Sequence, residues 1–324
     1  MTHKILVTDY QWPTLDIERE ILAAVDAELV VAPNGEESTL VDLAAGCSGI
    51  MTCWAQTTRN VIAAALPDLK VIARYGIGLD NIDIPFATEN GVPVGYVPTY
   101  CVDEVAEHTL AFILALTRKI GLFNRRTLSG TWDLSEGRPV YRLKGKKLGL
   151  VGFGHIGREV AKRAAAFGLE ICVTDPVVTA EQAAAADATL MPMDELLAAA
   201  DYICLHVPLS AATDGLMGTE QFRQMKPTAY LINTARGGLV NEEALLAALE
   251  AGEIAGAALD VRRQEPPAVG DQLLQMEQVL HSPHAAFYSV EAVEDLQALT
   301  AWEVRHVFEG GDPANLVNPD YKKS

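Results

Sequence analysis

Two histidines, His281 and His284, stand three residues apart in HSPHAAFYS near the end of the chain. Imidazole is the side chain that titrates near neutral pH, so either can act as acid, base or metal ligand. Two earlier segments carry residues of complementary chemistry, Arg236 in INTARGGLVNEEAL and Glu265 in AALDVRRQEPP. A guanidinium grips a carboxylate through two parallel hydrogen bonds. A carboxylate beside an imidazole fixes its tautomer and favours its protonated form. With an imidazole that gives or takes the proton of a hydroxyl, the three describe hydride transfer to or from a 2-hydroxy acid, provided a hydride carrier binds nearby. Taken singly, each has a plain reading as a surface arginine, a Glu-Pro-Pro loop and a structural histidine after proline.

The carrier site is written in KKLGLVGFGHIGREVAKRAAAFGLEICVTDP. A strand ends at Gly152, Gly152-x-Gly154-x-x-Gly157 follows, a helix runs to Gly168, and the next strand ends at Asp175. Gly152 permits the tight turn, Gly154 lets the backbone approach a pyrophosphate, and Gly157 lets the helix pack on the strand. The helix N-terminus offers unpaired N–H groups to the phosphates, and Asp175 can accept hydrogen bonds from the ribose hydroxyls. Three spaced glycines alone mean little, but strand, glycines, helix, strand and acid in this order are the confirming context for a dinucleotide. Asp175 would repel a 2′-phosphate, and Pro176 and Val177 supply no arginine to hold one, so NAD is expected rather than NADP. The mid-chain position of the motif disfavours FAD.

These residues need a sheet to position them, and the chain alternates β-branched runs with alanine- and leucine-rich segments, the pattern of a parallel sheet covered by helices. Strands are expected at KILVTDY, ELVVA, GIMTC, KVIARYG and VPVGYV, with helices such as LDIEREILAAV and RNVIAAAL between them. From Val102 a long amphipathic helix is expected, with Val102, Val105, Ala106, Thr109, Leu110, Ile113 and Leu114 on one stripe. The polar stretch NRRTLSGTWDLSEGRPVYRLKG is read as an irregular connection or oligomer arm. A second series follows, with strands at KKLGLV, LEICVT, YICLHV, AYLINTA, IAGAALDV and QVLHSP, and a final helix from about Val290 to Phe308. In an open α/β sheet, ligands bind outside the carboxyl ends of the strands, where Arg236, Glu265 and His284 are expected to converge.

Composition narrows the partners. The 324 residues suffice for two domains, and 49% hydrophobic content fits a packed globular protein. A formal charge of −18 argues against nucleic acid or an anionic membrane, both of which demand a basic face. An anionic substrate therefore needs local arginines. No apolar run reaches the length of a membrane span. The opening MTHKILVTDY enters a strand-like pattern without a basic and apolar leader. Cys47, Cys53, Cys101, Cys172 and Cys204 are scattered and form no C-x-x-C, which suits buried thiols in a reducing cytoplasm and gives no zinc site. No metal is expected.

The sequence resembles the D-isomer-specific 2-hydroxyacid dehydrogenases over nearly its whole length. The resemblance rests on RYGIGLDNIDI, VGFGHIGREVAKR, LHVPLSAATDGL, MKPTAYLINTARGGLVNEEAL, GAALDVRRQEPP and HSPHAA, in this order. It implies Arg236 as carboxylate clamp, His284 as acid/base and Glu265 as its partner, leaving His281 as a strand-end residue. Around the cofactor it implies Gly152, Gly154, His155, Ile156, Gly157, Asp175, His206, Val207, Pro208 and Thr213, and also Thr234, Ala235, Arg236, Asp260, His284 and Ala286. For the substrate, a small anionic 2-hydroxy or 2-keto acid, it implies Trp54, Arg74, the amides of Ile77 and Gly78, Arg236 and Phe287. Core packing is the competing reading of Trp54. Arg262 and Arg263 depart from the family pattern and are expected to be solvated.

The implied fold is α/β with two domains. A Rossmann-type doubly wound parallel sheet is inserted in a smaller flavodoxin-like α/β substrate domain. The expected boundaries are 1–100 for the first part of the substrate domain, 101–287 for the NAD-binding domain, and 288–324 for a C-terminal helix returning to the first. A homodimer is expected, with NRRTLSGTWDL as its interface. Within the family, CVDEVAEHTL, NTARGGLV and HAAFYS look most like the branch of C-terminal binding proteins and phosphoglycerate dehydrogenases. That leaves two alternatives to a 2-keto acid reductase: an NAD(H)-sensing interaction protein, or a short-form phosphoglycerate dehydrogenase.

Overall fold

Short runs of β-branched residues and leucine become parallel strands throughout the computed structural model, which describes residues 2–323. The chain divides into two units, Met1–Tyr100 with Ser289–Ser324, and Cys101–Tyr288. The first unit holds β1 (His3–Val7), β2 (Ala27–Val31), β3 (Gly49–Thr52), β4 (Val71–Arg74) and β5 (Val94–Gly95), in the spatial order β2-β1-β3-β4-β5. All pairings are parallel, with Ile5 opposite both Leu29 and Gly49. β3 and β4 are buried along their whole length, as expected for strands covered by helices on both faces.

The strand order reverses between β1 and β3, where an open α/β sheet forms its crevice. Asp9 follows β1 there. Its carboxylate accepts from the backbone amides of Cys53 (3.1 Å), Trp54 (2.8 Å) and Ala55 (3.2 Å), just past β3. The helix Val290–Phe308 packs against the helix Asp16–Ala23 and against β3 and β4. β5 is only two residues long. Pro93 has no N–H to donate before it, and the tail completes this edge, with the Asn318 side chain accepting from Val94 N at 2.8 Å.

The second unit holds β6 (Lys147–Val151), β7 (Glu170–Thr174), β8 (Ala188–Leu190), β9 (Tyr202–Leu205), β10 (Tyr230–Asn233), β11 (Gly256–Leu259) and β12 (Val279–His281). Their order is β12-β11-β10-β9-β6-β7-β8, all parallel. This is the dinucleotide-fold order with one strand added at the edge. Leucine, isoleucine and alanine fill both faces of the sheet. The α/β class with parallel, doubly wound sheets is therefore the observed one.

Two elements differ from the sequence expectation. β8 is a three-residue edge strand, too short for its alternation to register. The stretch beginning at Asn124 is not irregular at first. The helix Val102–Arg118 ends at Lys119, whose φ is 52°, and a second helix, Ile120–Leu128, covers Asn124–Leu128. This second helix buries no residue fully, so no core-facing stripe marks it out. Arg126 instead pairs with Glu136 and Glu277, and cations in a last helical turn complement the helix dipole.

Candidate active site

The glycine loop joins β6 to the helix His155–Ala166. Gly152 has φ 97°, and a Cβ there would lie 2.6 Å from the His206 carbonyl oxygen. A Cβ on Gly157 would lie 2.5 Å from the Gly152 carbonyl, so the first helical turn closes on the loop. Gly154 is different, because a Cβ there would meet nothing within 4 Å. No side chain caps this helix, so the N–H groups of its first turn face outward beside exposed Gly154 and His155. Such a terminus attracts anions.

Asp175 follows β7, and its Oδ2 accepts from Phe153 N at 2.8 Å while Oδ1 accepts from Val177 N at 2.9 Å. Each carboxylate oxygen retains capacity for a further donor. Open backbone, free helix amides and an acid fixed against the loop fit a dinucleotide. His206 follows β9 across the switch point. Burial pushes its imidazole down to about 4, which leaves it neutral, and its Nε2 is sealed without a partner among the described residues. Thr213 Oγ1 accepts from Ser210 N and donates to the Pro208 carbonyl at 2.7 Å, pinning the loop after His206, Val207 and Pro208.

β10, β11 and β12 deliver the three chemically complementary residues to the same edge. After β10, buried Asn233 donates from Nδ2 to the Arg236 carbonyl (2.9 Å) and accepts from Ala235 N (3.1 Å), which shapes Thr234–Ala235–Arg236. A Cβ on the next residue, Gly237, would collide with the Arg262 carbonyl group. The loops after β10 and β11 therefore touch backbone to backbone. Glu265 Oε1 accepts from Arg262 N at 2.8 Å, and Oε2 pairs with His284 Nδ1 at 2.7 Å. Burial pushes the Glu265 carboxyl up, but His284, the Arg262 amide and the nearby Arg236 guanidinium outweigh it and hold the group below the usual range. Glu265 is thus a carboxylate at neutral pH, and the pairing leaves His284 Nε2 for a substrate. The Phe287 ring stands edge-on to His284, with centroids 6.3 Å apart.

His284 has φ 53°, a left-handed conformation costly for a side chain with a Cβ. Asp260, after β11, holds the loop in that shape. Its carbonyl accepts from His284 N (2.8 Å), and its carboxylate accepts from Ala285 N (2.8 Å), Ala286 N (3.0 Å) and the Ser282 hydroxyl. His281 ends β12 with Nε2 donating to the Leu273 carbonyl at 3.0 Å, and burial lowers its pKa. Among the described residues no group of three or more His, Cys, Asp or Glu is placed to hold a metal ion.

Arg262 is a correction. It is not solvated but buried, with Nε and Nη2 on the two Glu242 oxygens (3.0 Å each) and Nη2 also on Asp271 (2.8 Å). A buried guanidinium needs this pairing, and Glu242 supplies it from twenty residues earlier in the chain, on the helix after β10. Arg263 is half exposed, bound to Asp214 at 2.6 Å and to the Gly238 carbonyl. In the first unit, Trp54 is half buried after β3, and Arg74, the last residue of β4, folds back so that a Cβ on Gly76 would collide with its guanidinium. Ile77 and Gly78 follow in a half-buried loop. Asn233, Gly237 and Ser282 were missed as site-shaping residues. An asparagine leaving a strand for a turn is the one signal that could have found any of them.

The NAD binding domain of the D-isomer specific 2-hydroxyacid dehydrogenases matches residues 110–286. A glyoxylate reductase of Thermofilum pendens is 41% identical over 264 residues, covering 80% of this chain and 78% of that protein. A D-3-phosphoglycerate dehydrogenase of Methanocaldococcus jannaschii is 38% identical over 316 residues, covering 97% of this chain and 59% of that protein. The chain spans about half the length of the phosphoglycerate dehydrogenases it matches. A crystal structure of D-lactate dehydrogenase from Aquifex aeolicus with NAD and lactic acid superimposes with a TM-score of 0.88 at 26% identity, covering 97% of this chain and 99% of that one. With its dinucleotide loop and these relatives, the chain belongs to the D-isomer specific 2-hydroxyacid dehydrogenases, a family of NAD-using oxidoreductases.

Proposed function

We propose that the chain is an NAD-dependent D-2-hydroxyacid dehydrogenase that reduces a small anionic 2-keto acid. The observation that carries this reading is the 2.7 Å pairing of His284 with an ionised Glu265 beside Arg236. It lies on the sheet edge that also bears the glycine loop. The bound nicotinamide supplies or accepts the hydride. Arg236 binds the substrate carboxylate with its guanidinium fork and so orients the keto carbon. With Nδ1–H committed to Glu265, His284 Nε2–H donates its proton to the oxygen as the hydroxyl forms, and takes it back in the oxidative direction.

The amides of His155, Ile156 and Gly157 hold the phosphates and Asp175 the ribose. His206, Val207, Pro208 and Thr213 border the adenosine. Thr234, Ala235, Asp260 and Ala286 line the nicotinamide end. Phe287, edge-on to His284, borders the substrate. In the first unit, Trp54, Arg74, Ile77 and Gly78 are the residues assigned to substrate selection, and that unit is the substrate domain on this reading. The five buried thiols fit the reducing cytoplasm as its location. The chain is a homodimer, its interface on the segment where Leu128 and Trp132 are 80% and 91% exposed, since exposed apolar clusters mark interaction surfaces.

The test is NADH and NADPH oxidation with glyoxylate, hydroxypyruvate, pyruvate, phenylpyruvate and phosphohydroxypyruvate. One acid should turn over with NADH. His284→Ala should lose about 10²–10⁴-fold in kcat, and Arg236→Ala should act mainly by raising KM. Tight NADH binding with no acid turned over would leave a sensing role in its place.

A further inference from the structure

Two consecutive residues of the helix Val102–Arg118 reach the two loops that carry Arg236 and His284. Thr109 Oγ1 donates to the Val105 carbonyl (2.8 Å) and lies 3.0 Å from Thr234 Oγ1, so the single Thr109 proton is already placed and Thr234 is the donor between them. His108 Nε2 lies 2.9 Å from Ser282 Oγ, whose hydroxyl donates to Asp260 Oδ1. A hydroxyl has one proton and a carboxylate only accepts. The contact from His108 therefore has one sense: Nε2–H donates to Ser282, and Ser282 donates to Asp260. The chain of donors ends on the carboxylate that also receives Ala285 N and Ala286 N, and whose own residue receives His284 N through its carbonyl. The His108 ring is fixed in turn by the edge-on ring of Phe112, with centroids 4.6 Å apart.

We propose that His108 is a positioning residue: as a fixed Nε2–H donor it keeps the Ser282 proton on Asp260, and through Asp260 it holds His284 in the left-handed conformation that meets Glu265. Without that donor, Ser282 is free to rotate its proton away, and the Asp260 oxygen gains a lone pair that water can occupy. The loop then loses the constraint that offsets the unfavourable φ of His284. Only the kinetic readout of this inference rests on the proposed dehydrogenase function.

The test compares His108→Leu, His108→Gln, Ser282→Ala and the double variant His108→Leu/Ser282→Ala. Glutamine retains an Nε2–H donor and leucine does not. With the acid that wild type reduces, His108→Leu should lose about tenfold or more in kcat, the scale of small misplacements of a reacting group. KM for NADH should stay within about twofold, and His108→Gln should recover most of the loss. The double variant should be no worse than the poorer single one, since both act on one chain of bonds. Factors that multiply, or a His108→Leu enzyme as fast as wild type, would overturn the proposal. A second readout needs no turnover: imidazole ¹⁵N spectra, with the His284 signals assigned through His284→Gln. Those signals should move in His108→Leu and return in His108→Gln. If wild type reduces no acid, the dehydrogenase reading fails and the spectra still decide the role of His108. Unmoved His284 signals would refute that role whatever the enzyme reduces.

Discussion

Glu265 shows how one side chain can carry two duties. One oxygen orients His284 and the other ties the loop through the Arg262 amide. Its pKa is held below the ordinary value, so its contribution to stability is full above the ordinary glutamate pKa. That contribution is lost as pH falls through the lowered value. Glu265→Gln should therefore be less stable than wild type near pH 7, with the difference closing under acid, as thermal melts from pH 7 to pH 3 would record. Partial exposure makes this effect small. The loss in kcat should be far larger, about 10²-fold or more, as when an orienting carboxylate beside a catalytic histidine is made an amide. Equal acid sensitivity of both proteins would show that the pairing does not act in stability.

Buried Glu18 ties elements rather than a reacting atom. It sits on the helix Asp16–Ala23, accepts from the Tyr75 hydroxyl (3.1 Å) just after β4, and accepts from Gln297 Nε2 (2.8 Å) on the helix Val290–Phe308. Burial raises its pKa in spite of these donors. Its stabilisation is complete below the ordinary glutamate pKa and is lost as pH rises through the elevated one. Glu18→Gln, which cannot ionise, should gain on wild type as pH rises from 5 to 8, by about 2–4 °C in Tm for each kcal/mol of ionisation cost relieved. A Tm difference independent of pH would mean that Glu18 is charged at no cost. The sequence reading named nearly every strand, because parallel strands buried on both faces are written as apolar runs. It missed β8, where three edge residues carry too little pattern, and Ile120–Leu128, a helix that buries no residue fully. The glycine loop, Arg236, Glu265 and His284 were legible because each follows a strand in order. The pairing of Arg262 with Glu242 and the reach of His108 to Ser282 were not, since both join residues far apart in sequence with no periodicity linking them.

Over the whole molecule, the formal charge of −18 opposes the approach of an anionic acid, while Arg236 attracts it only at short range. Screening decides between them, since the Debye length falls from about 30 Å at 0.01 M salt to about 8 Å at 0.15 M. With the proposed substrates, kcat/KM should rise about twofold or more over that interval. A fall would show that local arginines govern the encounter. The proposed dimer is tested by sedimentation of Leu128→Glu/Trp132→Ser, which should shift mass from dimer to monomer with the NADH site intact.

Both sheets are wound so that a crevice opens where their strand order reverses, and the two crevices have opposite fates. In the second unit Gly154 leaves the backbone bare, and the helix behind it offers its amides outward. In the first, the amides of Cys53, Trp54 and Ala55 already converge on Asp9. The crevice of the first sheet therefore presents a carboxylate with its amides already taken, where the crevice of the second presents open backbone and uncapped helix amides.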